Sequence, residues 1–393
     1  MSKYNFDQII DRRGTHCKRL ENLTANYGRE DLLPLWIADM DFAVCPAITE
    51  ALVERFAGHP VYGYTRTYDA FWQSIIDWQR ERNGFVFGRD EVTFSPGGVT
   101  AFTAAVDVFT RPGDKVLIQP PVYYDFHEVL AGMGRQTVCN NLVETPDGFY
   151  TMDLDELEWL FKLHRPRMMV LCNPQNPVGI VWSPDVLRQV ARLAREHGVV
   201  LFSDEVFGDI MLYGNRHTPL ATVSDEAAAV TVTIGSPGKT FNIAGFKSAW
   251  VVVKDPELRR MLFHWIEVNE VNTSNIAAMT ATEAAYRHGG QWLDECLRYI
   301  EGNIDYIVDY CGRNIPGVRA VKPQASFLVW LDFRGLGLSH EAVVDLVVNK
   351  ARMALNDGAI YGAPGHCHMR LNAGSPRAVI VEAMRRLAAA VAS

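Results

Sequence analysis

The sequence predicts an α/β protein with a large, doubly wound, mostly parallel sheet and a second, smaller α+β domain. Helical and strand-like segments alternate from about residue 70 to residue 253, which is typical of a parallel sheet covered by helices on both faces. The pair Gly289-Gly290 then interrupts the chain before a long amphipathic segment. Because the chain has 393 residues, 48% of them hydrophobic, it can bury one large core and one smaller core.

The large domain is predicted to span residues 46–289. Pro46 opens an amphipathic stretch that ends near Gly58, and β-branched apolar runs then alternate with helical periodicity. The predicted helices are 69–82, 98–109, 124–132, 153–163 and 184–197, together with most of 255–288. The predicted strands are 115–119, 168–172, 199–203, 229–234 and 248–253.

The small domain is predicted to combine residues 1–45 with residues 290–393. A long helix over about 291–312 leads into it. We expect strands near 318–332 and 367–372 and helices near 339–353 and 376–391. The N-terminal segment is expected to pack against these elements.

Composition excludes several classes of partner. The formal net charge is −8 and no basic run is present, which argues against nucleic acid or an anionic membrane surface as the main partner. The first residues contain no apolar signal region, and no stretch approaches the roughly 18 apolar residues of a membrane span, so we expect a cytoplasmic protein. The seven cysteines are scattered without a Cys-x-x-Cys pair, which indicates neither disulfides nor a zinc site.

Lys239 follows the predicted strand 229–234 in the segment 236–245, SPGKTFNIAG, and has three interpretations. A phosphate-binding P-loop is set aside because it needs a glycine where Thr233 stands. A solvated loop lysine is the commonest role for a lone lysine. The third interpretation is a lysine that forms a Schiff base with pyridoxal 5'-phosphate (PLP), with the Ser236 hydroxyl beside it for a phosphate oxygen.

A glycine-rich turn, SPGGVT at residues 95–100, stands between a short apolar run and an alanine-rich helix. The glycines of this turn would leave backbone N–H groups free at that helix N-terminus, where an anion is favoured. Such turns are also common without any ligand. No Gly-x-Gly-x-x-Gly follows, so a dinucleotide fingerprint is absent.

Polar and aromatic residues follow three more predicted strands. Tyr123 and Tyr124 come after 115–119, where they could be partly buried turn residues, or one ring could stack on a cofactor while the other phenol handles protons. Asn176 lies in a turn with two Asn-Pro steps, and its amide can donate to a phenolate oxygen. Asp204 ends an apolar strand and needs a partner, such as a protonated pyridine nitrogen, or burial would raise its pKa. An N-cap is its ordinary alternative.

Arg370 lies in an apolar strand near the C-terminus. Its two-pronged guanidinium could hold a substrate carboxylate, or it could form a structural ion pair. The neighbouring His366, Cys367 and His368 are not predicted to bind metal, because alternate strand residues put only two of them on one face and no third ligand is nearby.

In this order, these segments resemble the fold-type I PLP enzymes of the aspartate aminotransferase superfamily. The resemblance is closer to the MalY/PatB group of cystathionine β-lyases and related cysteine C–S lyases, and it runs from about residue 6 to residue 385. It rests on residues 6–7 (FD), 11–15 (DRRGT), 35–42 (LWIADMDF), 62–64 (YGY), 173–177 (NPQNP), 239–245 (KTFNIAG) and 370–374 (RLNAG).

The resemblance implies a role for each site residue. Lys239 would carry PLP and serve as the base once substrate displaces it. Asp204 would pair with the pyridinium nitrogen, Asn176 would bond the ring hydroxyl, and Arg370 would bind the substrate carboxylate.

The same resemblance assigns the ring and phosphate contacts and a partner. Tyr123 would stack on the cofactor ring, and the amides of Gly98 and Val99 together with Ser236 would hold the phosphate. Tyr64 would reach the phosphate of the other subunit, so the active unit would be a homodimer.

The implied reaction is α,β-elimination from L-cystathionine or another cysteine S-conjugate, giving pyruvate, ammonia and a thiol, with Tyr124 or Lys239 protonating the leaving thiolate. Two residues depart from the pattern. Phe207 stands where the lyases usually have histidine and the aminotransferases tyrosine, and Lys247 replaces the phosphate-binding arginine of aminotransferases. An aminotransferase and a PLP-binding regulatory protein remain the alternatives, and the sequence does not name the sulfur substituent.

Overall fold

A seven-stranded sheet forms the centre of the computed structural model, which describes residues 3–393. Six strands run parallel to one another, and Ala249–Val253 is antiparallel to both of its neighbours. This confirms the mostly parallel sheet. Across the sheet the strands are Val92–Ser95, Ala249–Val253, Thr231–Gly235, Val200–Asp204, Met168–Cys172, Lys115–Ile118 and Gln136–Cys139.

Helices cover both faces of this sheet. Along the central strand Met168–Cys172, Met169 and Leu171 join one apolar cluster, whereas Met168 and Val170 join another on the opposite face. Burial on both faces explains the continuous apolar run. The helices of this part of the chain are Pro46–Gly58, Asp69–Asn83, Gly98–Phe109, Asp125–Gly132, Leu154–His164, Pro184–His197, Asp225–Val230, Pro256–Val268 and Ile276–His288.

A second, four-stranded sheet is antiparallel throughout and is built from the C-terminal part of the chain. Its strands in order are Arg319–Ala320, Leu328–Asp332, His368–Asn372 and Asn356–Asp357. Its accompanying helices are Gly290–Asn314, His340–Asp345 and Arg377–Val391. The N-terminal strand Leu33–Pro34 pairs with Met353–Ala354, which ties the start of the chain to this part of the molecule.

Four boundaries differ from the sequence expectation. Residues 229–230 end the helix Asp225–Val230 instead of starting a strand, because Ser224 caps that alanine-containing helix by accepting from the backbone of Ala227. The helix expected near 339–353 changes to π geometry over Leu346–Lys350 and ends there. The strand expected near 318–332 is two short strands, and Lys239 lies in a one-turn helix, Pro237–Thr240, instead of a loop.

The remaining short elements lie near the N-terminus and at the edge of the large sheet. They are the helices Lys18–Glu21 and Leu23–Tyr27 and the hairpin strands Val143–Glu144 and Tyr150–Thr151. Between residues 3 and 393, no helix combines the length and the apolar character needed to cross a bilayer.

Candidate active site

The carboxyl ends of the parallel strands open into one cavity of about 480 Å³, within the size range of ligand sites. Such a position is where open α/β sheets bind ligands. The cavity brings together ten of the eleven residues that the sequence predicts for the site. These are Gly98, Val99, Tyr123, Tyr124, Asn176, Asp204, Ser236, Lys239, Lys247 and Arg370.

Lys239 lies directly beyond the strand Thr231–Gly235 and is mostly enclosed by the cavity wall. Its Nζ donates to the backbone oxygen of Ala38 at 2.7 Å and lies 6.0 Å from the centre of the Phe207 ring. Desolvation, with a further contribution from the positive charge of Arg370, lowers the pKa of Lys239 to about 8. This environment excludes the solvated loop lysine and provides an amine that deprotonates readily, as a nucleophile or base requires.

Asp204 ends the neighbouring strand, Val200–Asp204, and its carboxylate is buried at the cavity floor. Its Oδ1 accepts from the Val206 backbone at 3.2 Å, a local turn contact, and it forms no ion pair with any side chain of the described residues. Burial raises the pKa of Asp204 to about 6. The carboxylate therefore lacks the cation that its position calls for, and a protonated ring nitrogen would supply it.

One end of the cavity is suited to a phosphate. The 12-residue helix Gly98–Phe109 begins there, and the N–H groups of its first turn have no partners within the helix. Gly97 precedes it with a φ of +156°, a conformation that side chains rarely adopt. The exposed Lys247 adds a positive charge. The Ser236 hydroxyl donates to the backbone oxygen of Ser248 at 2.6 Å and accepts from Gly238 at 3.0 Å.

Two tyrosines line the wall above the strand Lys115–Ile118. The Tyr123 hydroxyl donates to Asp125 at 2.7 Å, and burial raises its pKa. Burial also raises the pKa of Tyr124, whose ring centre lies 4.9 Å from that of Tyr123. Both phenols are therefore protonated at neutral pH, so either could donate a proton.

Arg370 is in the middle of the strand His368–Asn372 and is 3% exposed. Its Nη1 donates to Oδ1 of Asn176 at 3.1 Å and its Nη2 donates to the Trp36 backbone at 3.0 Å, whereas its buried Nε has no partner. The Asn356 oxygen accepts from Nη2 at 2.9 Å in the amide orientation that satisfies its neighbours. No carboxylate of the described chain pairs with Arg370, which leaves its charge available to a ligand.

Residues 36–38, the first part of the segment 36–42, form a wall of the cavity that sequence reasoning did not assign to the site. The Asn242 amide accepts from the backbone of Met40 at 2.9 Å and donates to the backbone oxygens of Met40 and Phe42, each at 2.9 Å. The Asn372 amide donates to the backbone oxygens of Ile37 and Asp39, each at 2.6 Å. Both asparagines belong to segments that carry the family resemblance, which is the sequence signal that could have located this wall.

Tyr64, the eleventh predicted residue, lies outside the cavity of its own chain. It is fully exposed, and so is much of Val61 and Tyr62 beside it.

His368 stacks on Trp330 with ring centres 5.1 Å apart, and residues 3–393 contain no group of three side chains placed to hold a metal ion.

Comparison with known proteins agrees with this geometry. The family model described as aminotransferase class I and II matches residues 30–387. Cystathionine beta-lyase PatB of Bacillus subtilis is 40% identical over 387 residues, covering 98% of this chain and all of that protein. Two solved structures have the same fold over 99% of this chain: a PLP-bound putative aminotransferase from Clostridium difficile 630 (36% identity, TM-score 0.96, 100% of that chain) and the PLP-bound C-S lyase from Staphylococcus hominis (28% identity, TM-score 0.92, 98% of that chain).

Proposed function

The chain belongs to the class I and II aminotransferase family, and within that family we propose that it acts as a PLP-dependent C–S lyase. The reaction is α,β-elimination from an L-cysteine S-conjugate. Water is consumed, the Cβ–S bond breaks, and the products are a thiol, pyruvate and ammonia. The observation that carries this proposal is the pair formed by the mostly enclosed Lys239 and the buried Asp204, which face one cavity without a side-chain ion-pair partner in the described chain.

PLP fits the residues present. Asp204 would hold the protonated ring nitrogen, which gives its buried carboxylate the missing cation. Asn176 would donate its amide N–H to the ring hydroxyl, and Tyr123 would lie against the ring face. The buried ring of Phe207 offers no hydrogen bond to that hydroxyl, so Asn176 would carry this contact without help from position 207.

The phosphate would lie at the start of the helix Gly98–Phe109. The amides of Gly98 and Val99 would donate to its oxygens. Lys247 would add charge but not the two-pronged contact of an arginine. Ser236 would contribute its hydroxyl once that hydroxyl turns from the Ser248 backbone toward the phosphate.

Bound PLP supplies an electron sink for the negative charge that develops at Cα of the substrate. Arg370 orients the substrate by holding its α-carboxylate, because its guanidinium has five N–H donors and the contacts to Asn176, Trp36 and Asn356 do not use all of them. Lys239 would hold the cofactor in the resting protein, and during the reaction its amine would accept the Cα proton, because the lowered pKa leaves more of that amine unprotonated. Tyr124 or Lys239 then donates a proton to the departing sulfur.

A homodimer is part of the proposal. Tyr64 is fully exposed beside the partly apolar segment that contains Val61 and Tyr62, a surface suited to a second copy of the chain. In that dimer Tyr64 would reach the phosphate of the neighbouring site. We also propose the division into domains 46–289 and 1–45 with 290–393, while the cytoplasmic location stays a prediction.

The test compares the PLP-loaded protein with its Lys239→Ala variant on L-cystathionine and on S-alkyl cysteines, with no keto acid added. We expect the parent protein to release pyruvate, ammonia and thiol continuously and the variant to show no turnover. Lys162→Ala, an exposed position on the helix Leu154–His164, is the matched control and should keep full activity. A Lys239→Ala protein that still turns over would overturn the assignment.

A further inference from the structure

Lys18 lies at the mouth of the cavity, although nothing in the proposed reaction uses it. It is the first residue of the short helix Lys18–Glu21, its side chain is exposed, and it belongs to the cavity lining. Its ammonium group forms no hydrogen bond or ion pair with the part of the chain that the structure describes. A free cation at the entrance of an anion-binding cavity is available to a ligand.

The backbone at Lys18 is held firmly by the residue that follows it. The side chain of Arg19 is 1% exposed and forms ion pairs with Asp39 and Asp41. The backbone oxygen of Arg19 accepts from Nε1 of Trp36 at 3.0 Å. Lys18 is thereby fixed beside the segment 36–39 instead of being carried on a loose terminus.

Two residues of that segment contact the groups that handle the amino acid. The Trp36 backbone contacts Arg370 and the Ala38 backbone contacts Lys239. Lys18 is an exposed member of the same cavity lining, whereas Lys239 is half-buried and Arg370 is buried, so Lys18 lies toward the open side of the cavity. With the α-carboxylate on Arg370 and Cα at Lys239, the sulfur substituent would be the part of the substrate that extends toward this open side.

The other charged residues of the lining are sufficient for the cofactor and for the amino-acid part that all cysteine S-conjugates share, so Lys18 is not needed for either. Among residues 3–393 the lining contains four cations, Lys18, Lys239, Lys247 and Arg370, and one carboxylate, Asp204. The cofactor and the α-amino acid group account for the other three cations and for Asp204. The remaining positive charge favours an anionic group on the part that varies between substrates, and no lining carboxylate is left to favour a distal amine.

Building on the C–S lyase function, we propose that Lys18 selects cysteine S-conjugates whose sulfur substituent carries a carboxylate. The Lys18 ammonium pairs with that distal carboxylate at the cavity mouth. Because the pair is exposed to solvent, its effect on selectivity is modest, about fivefold. The enzyme would therefore prefer S-carboxyalkyl cysteines to neutral S-alkyl cysteines of the same size.

The test uses a matched pair of substrates, S-(2-carboxyethyl)-L-cysteine and its uncharged amide, S-(2-carbamoylethyl)-L-cysteine. The measured quantity is the ratio of their kcat/KM values. We expect Lys18→Gln to lower this ratio about fivefold, Lys18→Glu to lower it further, and Lys18→Arg to restore most of it. Lys162→Gln is the charge-matched control and should leave the ratio unchanged. An unchanged ratio in Lys18→Gln, or an equal loss for both substrates, would overturn the proposal.

A binding measurement keeps this inference separate from the proposed function. L-2-Aminopimelate and L-2-aminoheptanoate are carbon analogues with and without the distal carboxylate, and they have no sulfur to eliminate. Their dissociation constants follow from the change in cofactor absorbance on binding. Lys18→Gln should weaken the first about fivefold relative to the second. If no sulfur substrate yields pyruvate, the lyase proposal fails, and this binding ratio alone decides the role of Lys18.

Discussion

Asp204→Asn should have opposite effects on the cofactor-free and the cofactor-loaded protein. In the cofactor-free protein the carboxylate is buried without a cation, and its pKa rises from 3.8 to about 6. The folded state then binds more protons than the unfolded state between these values, so this group makes stability fall as pH rises through the window. The destabilisation by the ionised Asp204 carboxylate reaches its full size at pH values above the pKa of Asp204 in the folded protein. A shift of about 2 pKa units corresponds to about 3 kcal/mol at pH 7.5 and to about 1 kcal/mol at pH 4.5.

An amide at this position carries no charge and can still accept from the Val206 backbone. We therefore expect Asp204→Asn to raise the free energy of unfolding of the PLP-free protein by about 3 kcal/mol at pH 7.5 and by about 1 kcal/mol at pH 4.5. The same change should weaken PLP binding, because the amide cannot neutralise the ring nitrogen. Urea unfolding at both pH values and a PLP titration measure these effects.

The control for this prediction is Asp155→Asn, an exposed aspartate in the first turn of the helix Leu154–His164. Its effect should stay below about 1 kcal/mol. A PLP-free Asp204→Asn protein that is no more stable than its parent at pH 7.5 would show that the buried Asp204 carboxylate does not destabilise the fold. A gain of equal size at both pH values would also contradict the prediction, since a titrating carboxylate cannot produce that result.

Three further predictions concern the contacts of substrate and cofactor. Arg370→Lys should lower kcat/KM roughly 100-fold because the buried two-pronged contact is lost, and unaltered urea unfolding would separate this loss from misfolding. Tyr124→Phe should slow elimination of alkyl thiolates roughly 100-fold and of aryl thiolates much less, because the latter leave without a proton; equal losses in a leaving-group series would contradict the role. Coexpressing Lys239→Ala with Tyr64→Ala should recover about a quarter of wild-type activity, since half of the dimers would contain one intact site, and no recovery would exclude a shared site.

Five strands of the large sheet could be predicted because they are buried on both faces and so appear as short apolar runs, whereas the edge strand Gln136–Cys139 is mostly exposed and gives no such run. Lys239 and Asp204 could be proposed for the same reason, since each comes where such a run ends. The helix Asp225–Val230 was missed because it runs directly into the strand Thr231–Gly235, so that no turn residue separates the two patterns.

The cavity wall could not be predicted from local patterns. Asn242 contacts Met40 across 202 positions, and Asn372 contacts Ile37 across 335 positions. The local spacing of apolar residues predicts helices and strands, but it does not predict contacts between residues so far apart in the sequence. The position of Lys18 could not be predicted either, because it depends on the contacts of Arg19 with Trp36, Asp39 and Asp41. Tyr64 stays a prediction, since its proposed site belongs to a second copy of the chain.

Counting the products formed per protomer distinguishes a C–S lyase from an aminotransferase most directly. The PLP-loaded protein is mixed with excess S-substituted L-cysteine in the absence of any keto acid, and pyruvate, ammonia and thiol are followed with time. For a C–S lyase we expect many pyruvates per protomer, each matched by one ammonia and one thiol. Amino-group transfer that stops after about one equivalent per protomer and resumes only when a keto acid is added would contradict the lyase function and identify an aminotransferase.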